Sequence, residues 1–166
     1  MLLKLLKITI MSTHHTPTHW LIRVNDGVNF KNSKYPFWGV KRGKGGCIKT
    51  IVNKLKPGDI LWFMTSKKHG GKFIGMSEYT NYYDKEDEPL INMNTYSNEE
   101  QNWKGEEDWD IQIHYKKLYI TEKQNIKVSI QCGGVLLEYE TFKNKGLPDL
   151  YNHYKNFKYY AEEKKM

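Results

Sequence analysis

The chain has 166 residues, with 26 Lys and Arg against 19 Asp and Glu, a formal charge of +7 and 14% aromatic side chains. That length suits one domain with a real core and argues against a second, and no apolar run nears the roughly 20 residues that span a bilayer. Basic and aromatic side chains together favour single-stranded nucleic acid over a lipid surface as partner.

The opening MLLKLLKITI is amphipathic, but it is short, carries lysines and lacks a small-residue cleavage site, so it makes a poor signal peptide. Met11 offers an alternative start. Residues 1–17 read as a flexible leader. His14, His15 and His19 have no carboxylate or cysteine at a ligand spacing, so neither a metal nor a cofactor is expected. A strand follows at about 18–24, its Trp20, Ile22 and Val24 facing one side. Next comes Ser33-Lys34-Tyr35-Pro36-Phe37-Trp38-Gly39-Val40. A tryptophan at a loop exit among lysines offers an indole face to a flat heterocycle, and nearby asparagines can read its edge. The alternative for Trp38 is a place in the core beside a strand.

After it, Lys41-Arg42-Gly43-Lys44-Gly45-Gly46 lacks the GxxxxGK[ST] pattern of a Walker loop, yet its amides and basic side chains can hold a phosphate at a helix start. That helix, over 47–55, is marked by Ile48, Ile51, Val52 and Leu55 at i, i+3, i+4 and i+7 and is stopped by Pro57-Gly58. Ile60-Leu61-Trp62-Phe63-Met64 reads as a strand that forms a hairpin with Lys72-Phe73-Ile74-Gly75-Met76, with Trp62 in the core. Residues 84–108 are acidic and rich in asparagine, a long loop that carries Trp103 and, at its end, Trp109 as a pocket wall. Strands are predicted over 110–120 and through Ile126, Val128 and Ile130, and a helix over 147–163 with Leu150, Tyr151, Tyr154, Phe157 and Tyr160. This order predicts an α+β protein, a small curved sheet or open barrel of about five or six strands flanked by helices.

Cys47 and Cys132 form no CxxC pair, which fits a reduced intracellular protein. Enzyme signatures are missing too: the sequence has neither the HxE and PCxxC of a deaminase nor a GxSxG elbow. Asp108, Asp110 and His114 are simpler to read as surface or pairing residues than as an acid and base.

Five motifs, in order, resemble segments of the YTH and EVE families of the PUA-like superfamily, over roughly residues 18 to 160. They are Trp20-Leu21-Ile22-Arg23, Ser33 to Trp38, Lys56-Pro57-Gly58-Asp59-Ile60-Leu61, Gly71 to Glu78, and Gln101-Asn102-Trp103-Lys104-Gly105 leading into Asp108-Trp109-Asp110-Ile111. The resemblance implies one domain over 18–166, a PUA-like open barrel with a basic face and an aromatic cage for one flipped base. Trp38 and Trp103 match opposing cage walls, and Asn25 and Asn29 match positions that bond the base edge. Asn98 stands where many YTH proteins carry a further cage tryptophan, so the resemblance implies a two-walled cage, one that uses Tyr96 instead, or one with changed specificity toward another modified base. Phosphates would meet Arg23, Lys34, Lys41, Arg42, Lys44 and Lys104. The function expected on this basis is a non-enzymatic reader of N6-methyladenosine in single-stranded RNA. A reader of another modified base in RNA or DNA, a nucleic-acid-modifying enzyme on the same fold, and a protein-interaction module with an aromatic patch are the alternatives.

Overall fold

Five successive apolar residues, Ile60–Met64, are buried on both sides only in the interior of a sheet, and the computed structural model places them there. It describes residues 15–42, 47–86, 96–105, 109–120, 136–145, 147–160 and 162–166. The first half of the chain forms strand β1 (His19–Arg23), helix α1 (Val28–Asn32), strand β2 (Phe37–Val40), helix α2 (Cys47–Lys54), strand β3 (Ile60–Met64) and the long strand β4 (Phe73–Asp84). Strand β5 (Ile111–Ile120) follows, then the short strand β6 (Leu136–Glu138), helices α3 (Tyr139–Phe142) and α4 (Leu150–Tyr160), and the two-residue strand β7 (Glu162–Glu163).

Six strands lie in the order β2-β5-β4-β3-β1-β6, and β7 pairs with the far end of β5. β1 and β3 are parallel, in register from His19 opposite Ile60 to Arg23 opposite Met64; the other described pairs are antiparallel. A parallel pair needs a crossover, and this one carries α1, β2 and α2. Register shifts between β3 and β4 and two more between β4 and β5 add the local twist that curls an open sheet. Among the described residues the two end strands, β2 and β6, do not pair with each other.

Alternation divides the strands between two cores. Trp20, Ile22, Leu61, Phe63, Ile74, Ile111 and Ile113 pack on one face with Phe30 of α1 and Ile51 of α2. Leu21, Trp62, Met64 and Phe73 pack on the other beneath Tyr139 of α3 and Leu150 and Phe157 of α4. Trp62 is thus a core residue, as its apolar run predicts. The strand at 18–24, the helix over 47–55, the hairpin, the strand over 110–120 and the tail helix all lie near their predicted positions. Trp38, by contrast, stands within a strand, β2, rather than at a loop exit. The strand predicted through Ile126, Val128 and Ile130 lies outside the described residues. Among the described residues no helix is long and apolar enough to cross a membrane.

The first histidines take separate structural partners. His15 Nε2 bonds Asp59 Oδ1 at 2.9 Å, which ties part of the expected leader to the start of β3. His19 is buried, and its Nδ1 accepts from the Trp62 indole N–H at 3.0 Å. Burial lowers its pKa from 6.5 to about 4, against the opposing pull of Asp59, Glu140 and Asp149. In the unfolded chain the imidazole takes up its proton near pH 6.5, in the folded chain near pH 4. The folded state therefore keeps its full advantage above pH 6.5 and loses it as the pH falls to 4, by about 3 kcal/mol. Urea unfolding between pH 7 and pH 4 should show that loss. His19→Gln, which keeps an acceptor for Trp62, should lack this part of it, and an equal pH dependence in both proteins would contradict the assignment.

Candidate nucleic-acid interface

β2 ends the row of strands, and residues 96–105 supply partners to the chain that enters it. Gln101, wholly buried, accepts at Oε1 from the N–H groups of Lys34 (2.8 Å) and Tyr35 (2.7 Å). Its Nε2 donates to the carbonyls of Tyr35 (3.0 Å) and Phe37 (3.4 Å). One side-chain amide thereby satisfies backbone groups that a neighbouring strand would otherwise meet.

Trp103 is fixed by the same segment. Its Nε1 donates to Ser33 Oγ at 2.8 Å, and that hydroxyl donates to the carbonyl of Asn29 at 3.0 Å. Asn29, matched by resemblance to a base-reading position, is bonded at both ends of its amide to Lys104: Oδ1 accepts from the N–H at 2.8 Å, and Nδ2 donates to the carbonyl at 3.0 Å. In this arrangement the paired donor–acceptor edge of Asn29 is taken by Lys104 and holds the Trp103 segment; a base would have to displace Lys104 to use that edge. Asn25 is exposed in the turn after β1, with φ 52°, and its carbonyl accepts from the Ser66 N–H at 2.7 Å.

Trp38 and Trp103 come together, but as touching rings. Their centres are 5.0 Å apart with planes inclined at 56°, and the residues are 7% and 6% exposed. A base between two rings needs about 7 Å, two contacts of about 3.5 Å, so no open slot separates them. Trp109 adds a third indole, 6.2 Å from Trp103 and nearly perpendicular to it. It lies directly on Gly39 of β2, where a Cβ would fall 2.4 Å from Trp109 Cγ, so the close approach requires glycine. Trp109 Nε1 donates to Asn98 Oδ1 at 3.1 Å, and Asn98 Nδ2 donates to the Gly105 carbonyl at 3.0 Å. Where the resemblance implies a further cage tryptophan, this chain therefore has an asparagine that positions another one. Tyr96 stacks on Tyr35, with ring centres 3.5 Å apart and planes within 5°.

The basic residues divide into two groups. Lys34, Lys41 and Lys104 are exposed, and Arg23 is half-buried. Arg42 is ion-paired with Asp84 and with Glu86, the latter at 2.9 Å, and its amide N–H donates to Asp110 at 3.0 Å. A phosphate would have to displace those carboxylates, so Arg42 is poorly placed for the role that its sequence position suggests. Lys44 lies outside the described residues, as does Asp108. Asp110 is occupied by Arg42, and His114 packs against Phe37, its Nε2 3.2 Å from Gln112 Oε1, with burial lowering its pKa.

No protein-family model and no curated protein matches the chain. Gln101 and Ser33 are the site residues to which sequence reasoning gave no role, because each finds its partner through the fold. Both fall inside ordered motifs, the only signal that pointed to them.

Proposed function

We propose that this protein is a non-enzymatic reader of a modified base in single-stranded nucleic acid, with N6-methyladenosine in RNA as the best-fitting ligand, on a fold related to the PUA-like open barrels. The observation that supports this most is the gathering of Trp38, Trp103 and Trp109 at the end strand of the sheet, beside the exposed Lys34, Lys41 and Lys104. The half-buried Tyr35 and Tyr96 extend the same aromatic surface.

The base enters by parting Trp38 and Trp103. An aromatic pair is worth about 0.5–1.5 kcal/mol beyond its area and stacking a base gives about 1–3 kcal/mol, so a base that keeps both indoles covered offsets the ring contact that it replaces. A methyl group on the exocyclic amine adds about 0.8 kcal/mol when it is buried among indoles. Stacking thus gives affinity and the methyl gives selectivity. An unpaired strand is the preferred target because extruding a base from a duplex first costs a few kcal/mol. Tryptophan fluorescence tests this entry step: a single-stranded oligomer should change the emission of the native protein, and the same sequence as a duplex should do so far more weakly. An unchanged signal at saturating single strand would overturn the reading.

A further inference from the structure

A cavity of about 310 Å³ opens between the second half of β5 and the chain around β7. Lys116 and Lys117 line it from β5, Lys164 and Lys165 line it from the other side, and Glu163 and Pro36 also border it. Successive residues of a strand normally point to opposite faces, yet Lys116 and Lys117 both reach Glu78, at 2.9 and 3.0 Å. The register shift between Met76 and Glu78 and a φ of 53° at Lys117 make this possible. Left-handed backbone is unfavourable for a lysine, and here it brings a second ammonium group to the same carboxylate. Even with Glu78 and Glu163 counted against them, the four lysines leave an excess of positive charge around the cavity.

The cavity adjoins the indole cluster through one short segment. The Ser33 carbonyl accepts from Lys164 Nζ at 2.5 Å, while the Ser33 hydroxyl accepts from Trp103 Nε1 at 2.8 Å. Pro36 borders the cavity, and Trp38, two residues on, belongs to the indole cluster. Lys164 also donates to the Lys31 carbonyl at 2.7 Å, so its ammonium positions the segment, while Lys116 and Lys117 share the single carboxylate of Glu78; Lys165 and the one positive charge that this shared pair leaves over are what an anion would meet.

We infer that this cavity holds a backbone phosphate of the strand whose base enters the indole cluster, an inference that rests on the base-reader proposal. Lys116 and Lys165 are exposed, which makes Lys116→Gln/Lys165→Gln a variant that should fold normally, as circular dichroism and the unfolding midpoint can verify. In single-strand titrations over a range of salt concentrations, its slope of log affinity against log salt should be shallower by about 0.7 for each phosphate contact removed. Its base preference should be unchanged. An unaltered slope in the folded variant would overturn the inference. Inorganic pyrophosphate, followed by NMR on the wild-type protein, provides an arm independent of base reading. Saturable shifts at the amides of residues 115–118 and 163–166 would support an anion site there, and their absence would overturn it. Pyrophosphate binding without any strand binding would overturn the assignment to a strand and, separately, the base-reader reading.

Discussion

Replacing Asp59 by alanine should lower the stability of the fold by about 3 to 5 kcal/mol, since several donors lose their acceptor at about 1–3 kcal/mol for each that stays buried. Asp59 is fully buried at the start of β3. Its Oδ1 accepts from His15 Nε2 and the Thr18 N–H, both at 2.9 Å, and its Oδ2 accepts from the Trp20 indole at 2.9 Å and the Lys56 N–H at 3.0 Å. These four donors belong to the lead into β1, to β1 and to the turn after α2, so one carboxylate aligns the parallel pair β1 and β3. Alanine would strand buried donors away from water, each at a cost of about 1–3 kcal/mol. The measurement is urea unfolding, where the midpoint should fall at constant slope. A loss below about 1 kcal/mol would mean that water replaces the carboxylate and that Asp59 is not the organising group.

Trp38→Ala has the second large effect, because it acts on both stability and binding. Trp38 packs against Phe30 and Trp103, at ring-centre distances of 6.2 and 5.0 Å. Removing a buried tryptophan costs about 3 to 5 kcal/mol. The variant should remain folded at low temperature, lose its preference for a methylated base, and keep a weak, salt-sensitive association through the lysines. Trp38→Phe separates the two roles: it restores much of the packing but offers a smaller stacking face. Full recovery of base preference with Phe would show that packing alone matters at this position. Trp38 already packs in the core from β2, and loss of folding in Trp38→Ala would show that this packing is its whole role.

Which parts of this molecule could be read from sequence depends on where each interaction originates. Ile60–Met64 was legible because burial on both faces leaves an unbroken apolar run, and α2 because its apolar residues recur at helical spacing. β2 was not, since four residues bounded by Pro36 and carrying Gly39 show little period, and their partners in β5 lie more than 70 positions away. β4 runs on to Asp84, well past the predicted end at Met76, because Tyr79 to Asp84 pair with β5 through a register shift that periodicity does not encode. The indole site was legible in part: Trp38 and Trp103 do meet, but their closure on each other depends on Ser33 and Gln101. Asn29 and Arg42 show the reverse, since residue types suited to a ligand are engaged by Lys104 in one case and by Asp84 and Glu86 in the other.

Base recognition is tested most directly by the affinities of two single-stranded RNA oligomers that differ in one central adenine, N6-methylated or not, measured at one fixed salt concentration. Burial of the methyl group among the indoles predicts tighter binding of the methylated oligomer by about fourfold or more, from about 0.8 kcal/mol. Equal affinity of the folded wild-type protein for the two would contradict the methyladenine assignment.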